Sequence, residues 1–138
     1  MRPRGFTLLE VMVATFILGL LATLVAPRVL GRADDARRTK AIADMKGIEQ
    51  ALNLYRLDSG GFPSTEQGLE ALVRKPDRPP LPRAWNPNGY LERVPEDPWG
   101  HPYIYICDGG GRFALESYGA DGAEGGDGKF ADLDSKDF

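Results

Sequence analysis

Oxygen donors crowd one stretch near the C-terminus, SYGADGAEGGDGKFADLD, residues 117–134, where Asp121, Glu124, Asp127, Asp132 and Asp134 are interspersed with glycine. Glycine lets the backbone turn its carbonyls inward, and a hard cation such as Ca²⁺ takes about 6–8 oxygens in flexible geometry. Composition alone favours a solvated acidic loop over a cation site. Asp121 to Asp132 has the length of an EF-hand loop, with Gly126 where that loop turns. However, Ala123 and Gly125 stand where two side-chain ligands belong, and no helix pattern follows. The EF-hand reading is rejected.

A second acid stands in unlikely company. Phe6 to Ala26 is apolar apart from a few hydroxyls and Glu10. A carboxylate deep in a bilayer costs about 2.5–3.5 kcal/mol on insertion scales, and such groups are typically paired and functional. A cleaved secretory signal has a shorter apolar stretch. A plain membrane anchor needs about 20 apolar residues, which this run supplies, but leaves Glu10 unexplained. A cut between Gly5 and Phe6 places a new α-amine one helical turn from Glu10, on the same face.

These groups need a scaffold. Between Arg28 and Leu57 the apolar residues Ala41, Met45, Ile48, Leu52 and Tyr55 form one helical stripe, read as the packing face for the rest of the chain. The apolar run and this stripe are expected to form one helix, kinked or locally melted at Pro27. Ser64 and Gln67 resemble a capping box, followed by a short helix over 65–73. Trp85 is expected to pin the proline-rich loop KPDRPPLPRAWNPNG. Strands are predicted at 103–106 and 112–117, paired as an antiparallel hairpin or meander.

The totals narrow the function. With 138 residues the chain has room for one domain, and a net charge of −3 argues against a general nucleic-acid binder. Cys107 is the single cysteine, so no disulfide can form within the chain; it is read as a small apolar residue in or beside a strand. His101 is read as a loop or packing residue. The sequence carries no Ser/His/Asp or Cys/His set, phosphate loop or zinc-ligand spacing, so no enzyme is expected. A signal-anchored calcium-dependent hydrolase stays a remote alternative.

RGFTLLEV resembles the processing site of type IV pilins and type II secretion pseudopilins. The stretches LNLYRLDSGGFPSTEQGLEALV, PEDPWGHPY and SYGADGAEGGDGKFADL extend the resemblance, to the major pseudopilins of type II secretion, over nearly the whole chain. Tyr118 stands where Leu is commoner, and the tail lacks the family's usual Trp-containing ending. The resemblance implies an α+β, pilin-like fold: a long N-terminal helix on a small antiparallel sheet with a Gly/Asp-rich calcium loop at 118–134. It implies a leader, residues 1–5, removed by prepilin peptidase between Gly5 and Phe6, with Phe6 then N-methylated. Residues 6–26 form a single span of the bacterial inner membrane, N-terminus cytoplasmic, and 27–138 a periplasmic head. A bare Lys/Arg count over Arg28, Arg32, Arg37, Arg38 and Lys40 favours the reverse orientation; the motif is given precedence.

Glu10 is implied as the assembly residue, pairing with the α-amine of a neighbouring subunit in a homopolymeric pseudopilus. The further partners are minor pseudopilins and the inner-membrane assembly platform. Calcium is the implied cofactor, held by Asp121, then Asp132 and Asp127, with the Tyr118 backbone carbonyl. A type IV pilin or minor pseudopilin is the alternative; pilins usually close a C-terminal loop with a disulfide, which Cys107 alone cannot form.

Overall fold

The computed structural model describes residues 5–109 and 111–138, so residues 1–4 of the expected leader and Gly110 lie outside the described residues. The chain divides into two compact units, Met1–Ala36 and Arg37–Phe138. Helix α1, Leu8–Ser59, contributes to both. It passes Pro27 unbroken, so the local melting expected there does not occur. Proline removes one i→i−4 bond, and the helix-forming residues on either side propagate across the gap.

In the first unit, Leu8–Val25 has a mean hydropathy of 2.4 and none of it is buried. By length and composition it is able to cross a membrane. Its hydroxyls are satisfied within the helix: Thr15 Oγ1 donates to the Val11 and Met12 carbonyls at 2.9 Å, and Thr23 Oγ1 to the Leu20 carbonyl at 2.7 Å. No polar hydrogen of these residues then needs water, which is what a lipid-facing helix requires.

In the second unit the predicted stripe is the core. Ala41, Met45, Ile48, Leu52 and Tyr55 are all at most 2% exposed. They pack with Leu72, Tyr103, Tyr105, Leu115 and Leu133, each large side chain contributing about 1.5–3 kcal/mol. Helix α1 stops where Gly60, at φ 84°, donates its N–H to the Arg56 carbonyl.

The capping box at Ser64 is formed in both directions: Ser64 N–H donates to Gln67 Oε1 at 2.9 Å, and Gln67 N–H to Ser64 Oγ at 3.2 Å. The short helix expected over 65–73 reduces to one turn and a 3₁₀ helix, Leu69–Leu72. Gly68 leaves the helical region at φ 58°, which breaks the ladder after its first turn. Trp85 pins the proline-rich loop by donating Nε1–H to the Ala71 carbonyl at 3.0 Å and packing edge-on to Tyr90.

Strands β1, Ile104–Cys107, β2, Phe113–Ser117, and β3, Leu133–Asp134, form an antiparallel sheet in the order β1-β2-β3. Cys107 ends β1, half-buried against the core. Thr65 Oγ1 accepts the Cys107 N–H at 2.9 Å and donates to its carbonyl at 3.1 Å, blocking that end of the sheet edge.

Tyr103 and Tyr105 alternate inward from β1 and its approach. Burial, reinforced at Tyr103 by the Asp44 carboxylate, pushes both phenols far above their ordinary value. The unfolded chain ionises these phenols first, near pH 10. Head stability is therefore full below about pH 10 and falls as pH rises beyond it. Thermal melts between pH 8 and pH 11 are expected to show this decline, and Tyr105→Phe to flatten it; an unchanged slope in the variant counts against the assignment.

Candidate functional site

The first site is the start of α1. Thr7 is its N-cap: Oγ1 accepts the Glu10 N–H at 3.2 Å, and the Thr7 carbonyl accepts the Val11 N–H at 3.2 Å. Thr7-x-x-Glu10 is the Thr-x-x-Glu capping pattern, a signal that sequence reading passed over. The cap places the Gly5–Phe6 bond outside the helix and Glu10 in its first turn, where the positive end of the helix dipole favours a carboxylate. Phe6 is 82% exposed. Gly5, Phe6, Thr7 and Glu10 line one shallow hollow.

The second site is the acidic loop. It leaves β2 at Ser117, passes through the 3₁₀ helix Gly128–Phe130, and returns as β3. Asp132 binds the loop to itself, accepting the Gly125 N–H on Oδ2 at 2.7 Å. Its other oxygen, Oδ1, is buried and has no hydrogen-bond partner. Asp121 Oδ1 accepts the Ala123 N–H at 3.3 Å, a short local turn that leaves Oδ2 uncommitted to that bond. Asp127 precedes the 3₁₀ helix in extended conformation, and its carbonyl accepts the Phe130 N–H at 3.2 Å. A Cβ at Gly126 would lie 2.5 Å from the Phe130 carbonyl oxygen, so only glycine permits this close return.

Among the described residues no three carboxylate, imidazole or thiol side chains gather as a metal cluster. Asp121, Asp127 and Asp132 therefore do not converge by themselves, and a cation here needs backbone carbonyls to complete its shell. The donor chemistry fits Ca²⁺: all oxygen, with one buried carboxylate oxygen unmatched by any donor. The loop's negative field also reaches the Tyr118 phenol, raised first by desolvation and then by Glu124, Glu116 and Asp132.

Sequence reading missed the residues that hold this loop. Arg38 on α1 donates Nη1–H to the Ala131 carbonyl at 3.1 Å. Asp97, whose side chain is fully buried, accepts from Trp99 N–H at 3.0 Å, His101 N–H at 2.8 Å and Ser117 Oγ–H at 2.7 Å. The available signal was Asp97 followed by Pro, Trp and Gly, the chemistry of a turn closed by an Asp side chain onto the N–H two residues on.

Residues 1–26 match the prokaryotic N-terminal methylation motif, and residues 28–136 match the family described as type II secretion system (T2SS), protein G. The chain is 53% identical to the type II secretion system core protein G of Pseudomonas aeruginosa over 134 residues, covering 96% of this chain and 94% of that one. It is 49% identical to the core protein G of Vibrio cholerae over 133 residues, covering 96% and 90%. The crystal structure of the major pseudopilin from the type 2 secretion system of enterohaemorrhagic Escherichia coli superposes with a TM-score of 0.70 at 37% identity, covering 81% of this chain and 96% of that one. With a capped apolar helix in its first unit, a three-stranded sheet in its second, and matches that cover both, the chain belongs to the protein G family of type II secretion systems, the major pseudopilins.

Proposed function

We propose that this chain is the repeating subunit of a periplasmic pseudopilus, a structural protein rather than an enzyme, whose polymerisation drives export of folded proteins across the outer membrane. The single observation that carries this reading is the Thr7-capped start of α1. The Gly5–Phe6 bond lies in exposed, non-helical chain directly before a helix apolar enough for lipid, which supports cleavage there. Prepilin peptidase cuts that bond and methylates Phe6. The apolar helix holds the subunit in the inner membrane with the head in the periplasm. Glu10 pairs with the α-amine of the neighbouring subunit as the filament grows, so that two charges costly in hydrocarbon neutralise each other.

The acidic loop is read as a calcium site. The Tyr118 carbonyl, Asp121, Asp132 and Asp127 hold the ion, with Asp132 Oδ1 the buried oxygen that needs it. A bound ion supplies positive charge that ties the two ends of a loop with little apolar content of its own.

The test is the N-terminal peptide mass of the protein extracted from its native membrane. The expected chain begins at Phe6 and carries one methyl group. A chain that begins at Met1 makes the segment a simple anchor and removes the partner of Glu10.

A further inference from the structure

The acidic loop is entered through a closed ring of hydrogen bonds. His101 N–H donates to Asp97 Oδ1 at 2.8 Å, and the His101 Nδ1 lies 3.2 Å from the Gly119 carbonyl. Gly119 N–H donates to Ser117 Oγ at 3.2 Å, and Ser117 Oγ–H closes the ring on Asp97 Oδ2 at 2.7 Å. A carbonyl only accepts, so His101 Nδ1 carries the proton. Gly119 is thus held at both its N–H and its C=O.

The Gly119 nitrogen shares a peptide plane with the Tyr118 carbonyl. In a trans peptide the two point in opposite directions, so a Gly119 N–H fixed on Ser117 fixes the Tyr118 oxygen facing away from it. The imidazole also seats on the far side of Asp121. A Cβ added to Gly122 would lie 2.8 Å from His101 Cε1 and Nε2. One side chain from a different loop therefore bonds the chain two residues before Asp121 and lies against it one residue after.

We infer that His101 is a positioning residue for the cation site, pre-setting the Tyr118 carbonyl and the Asp121 side chain through Gly119 and Gly122. This rests on the calcium reading above. Without the imidazole, the loop must be ordered by the ion itself, which weakens binding. Asparagine at this position places its amide nitrogen near the site of Nδ1 and keeps the donor to Gly119.

The experiment titrates calcium chloride into the full chain in detergent micelles after chelation, read by calorimetry, with melting temperatures taken in chelator. The wild-type chain is expected to bind, His101→Ala about tenfold more weakly, and His101→Asn within about threefold of wild type. If His101→Ala fails to melt cooperatively in chelator, His101→Phe, which keeps a ring but has no donor, takes its place with the same expected loss. Wild-type affinity in the donor-less variant overturns the inference, and so does His101→Asn binding as weakly as His101→Ala. No calcium binding by the wild-type chain overturns the calcium reading itself, and this inference with it.

Discussion

Glu10→Gln is expected to lower pseudopilus assembly by about a hundredfold or more while leaving the subunit processed and folded. Removing one member of a buried ion pair costs about 3–5 kcal/mol, because the partner charge stays behind unpaired, and each 1.4 kcal/mol is about a factor of ten. The loss recurs at every added subunit, so long filaments suffer most. The substitution isolates the charge. Thr7 Oγ1 accepts the backbone N–H of residue 10, which glutamine supplies equally, and Gln serves as well as Glu at this place in a capping box. The start of α1 therefore stays at Leu8 and the Gly5–Phe6 bond stays outside the helix. Sheared filaments and exported protein are quantified in cells alongside the N-terminal mass. Processed subunit with filaments at wild-type level would sink the pairing mechanism.

The periodic parts of this fold are legible in the amino-acid sequence alone. Ala41, Met45, Ile48, Leu52 and Tyr55 sit one turn apart, and a face of that kind has no stable alternative to burial. The Ser64–Gln67 box is readable because both of its bonds are local in sequence. β3 is not readable, since Leu133 and Asp134 are too few to show alternation; their register comes from β2. The candidate loop is legible as chemistry but not as geometry. Its acids are visible in the sequence, whereas Asp132 Oδ1 is singled out only by a fold that buries it. His101 reads as packing, and it does pack, but its bond to Gly119 depends on a pairing between distant loops that no local pattern announces.

Asp97→Ala is expected to destabilise the head by about 3 kcal/mol or more. Three donors, the N–H groups of Trp99 and His101 and the Ser117 hydroxyl, point at this buried carboxylate. A buried donor left unpaired costs about 1–3 kcal/mol, and alanine offers none of them an acceptor. For a unit the size of Arg37–Phe138, about 4 °C or more of melting temperature is lost per kcal/mol, so a fall of about 12 °C or more is the expected reading. Asp97→Asn separates the bonds. Its amide oxygen still accepts from Trp99 and His101, but its NH₂ faces a Ser117 hydroxyl that already accepts the Gly119 N–H. One bond is then compromised instead of three, a loss of about 1 kcal/mol. The ordering Asp, then Asn, then Ala is the signature of a hydrogen-bond hub; equal melting of Asp97→Ala and wild type would show that the turn holds itself together without the carboxylate. Because Asp97 anchors both His101 and Ser117, the same ordering should carry over to calcium affinity. The buried carboxylate at residue 97 and the acidic loop at residues 118–132 are one connected system, joined at Gly119 by the His101 and Ser117 bonds.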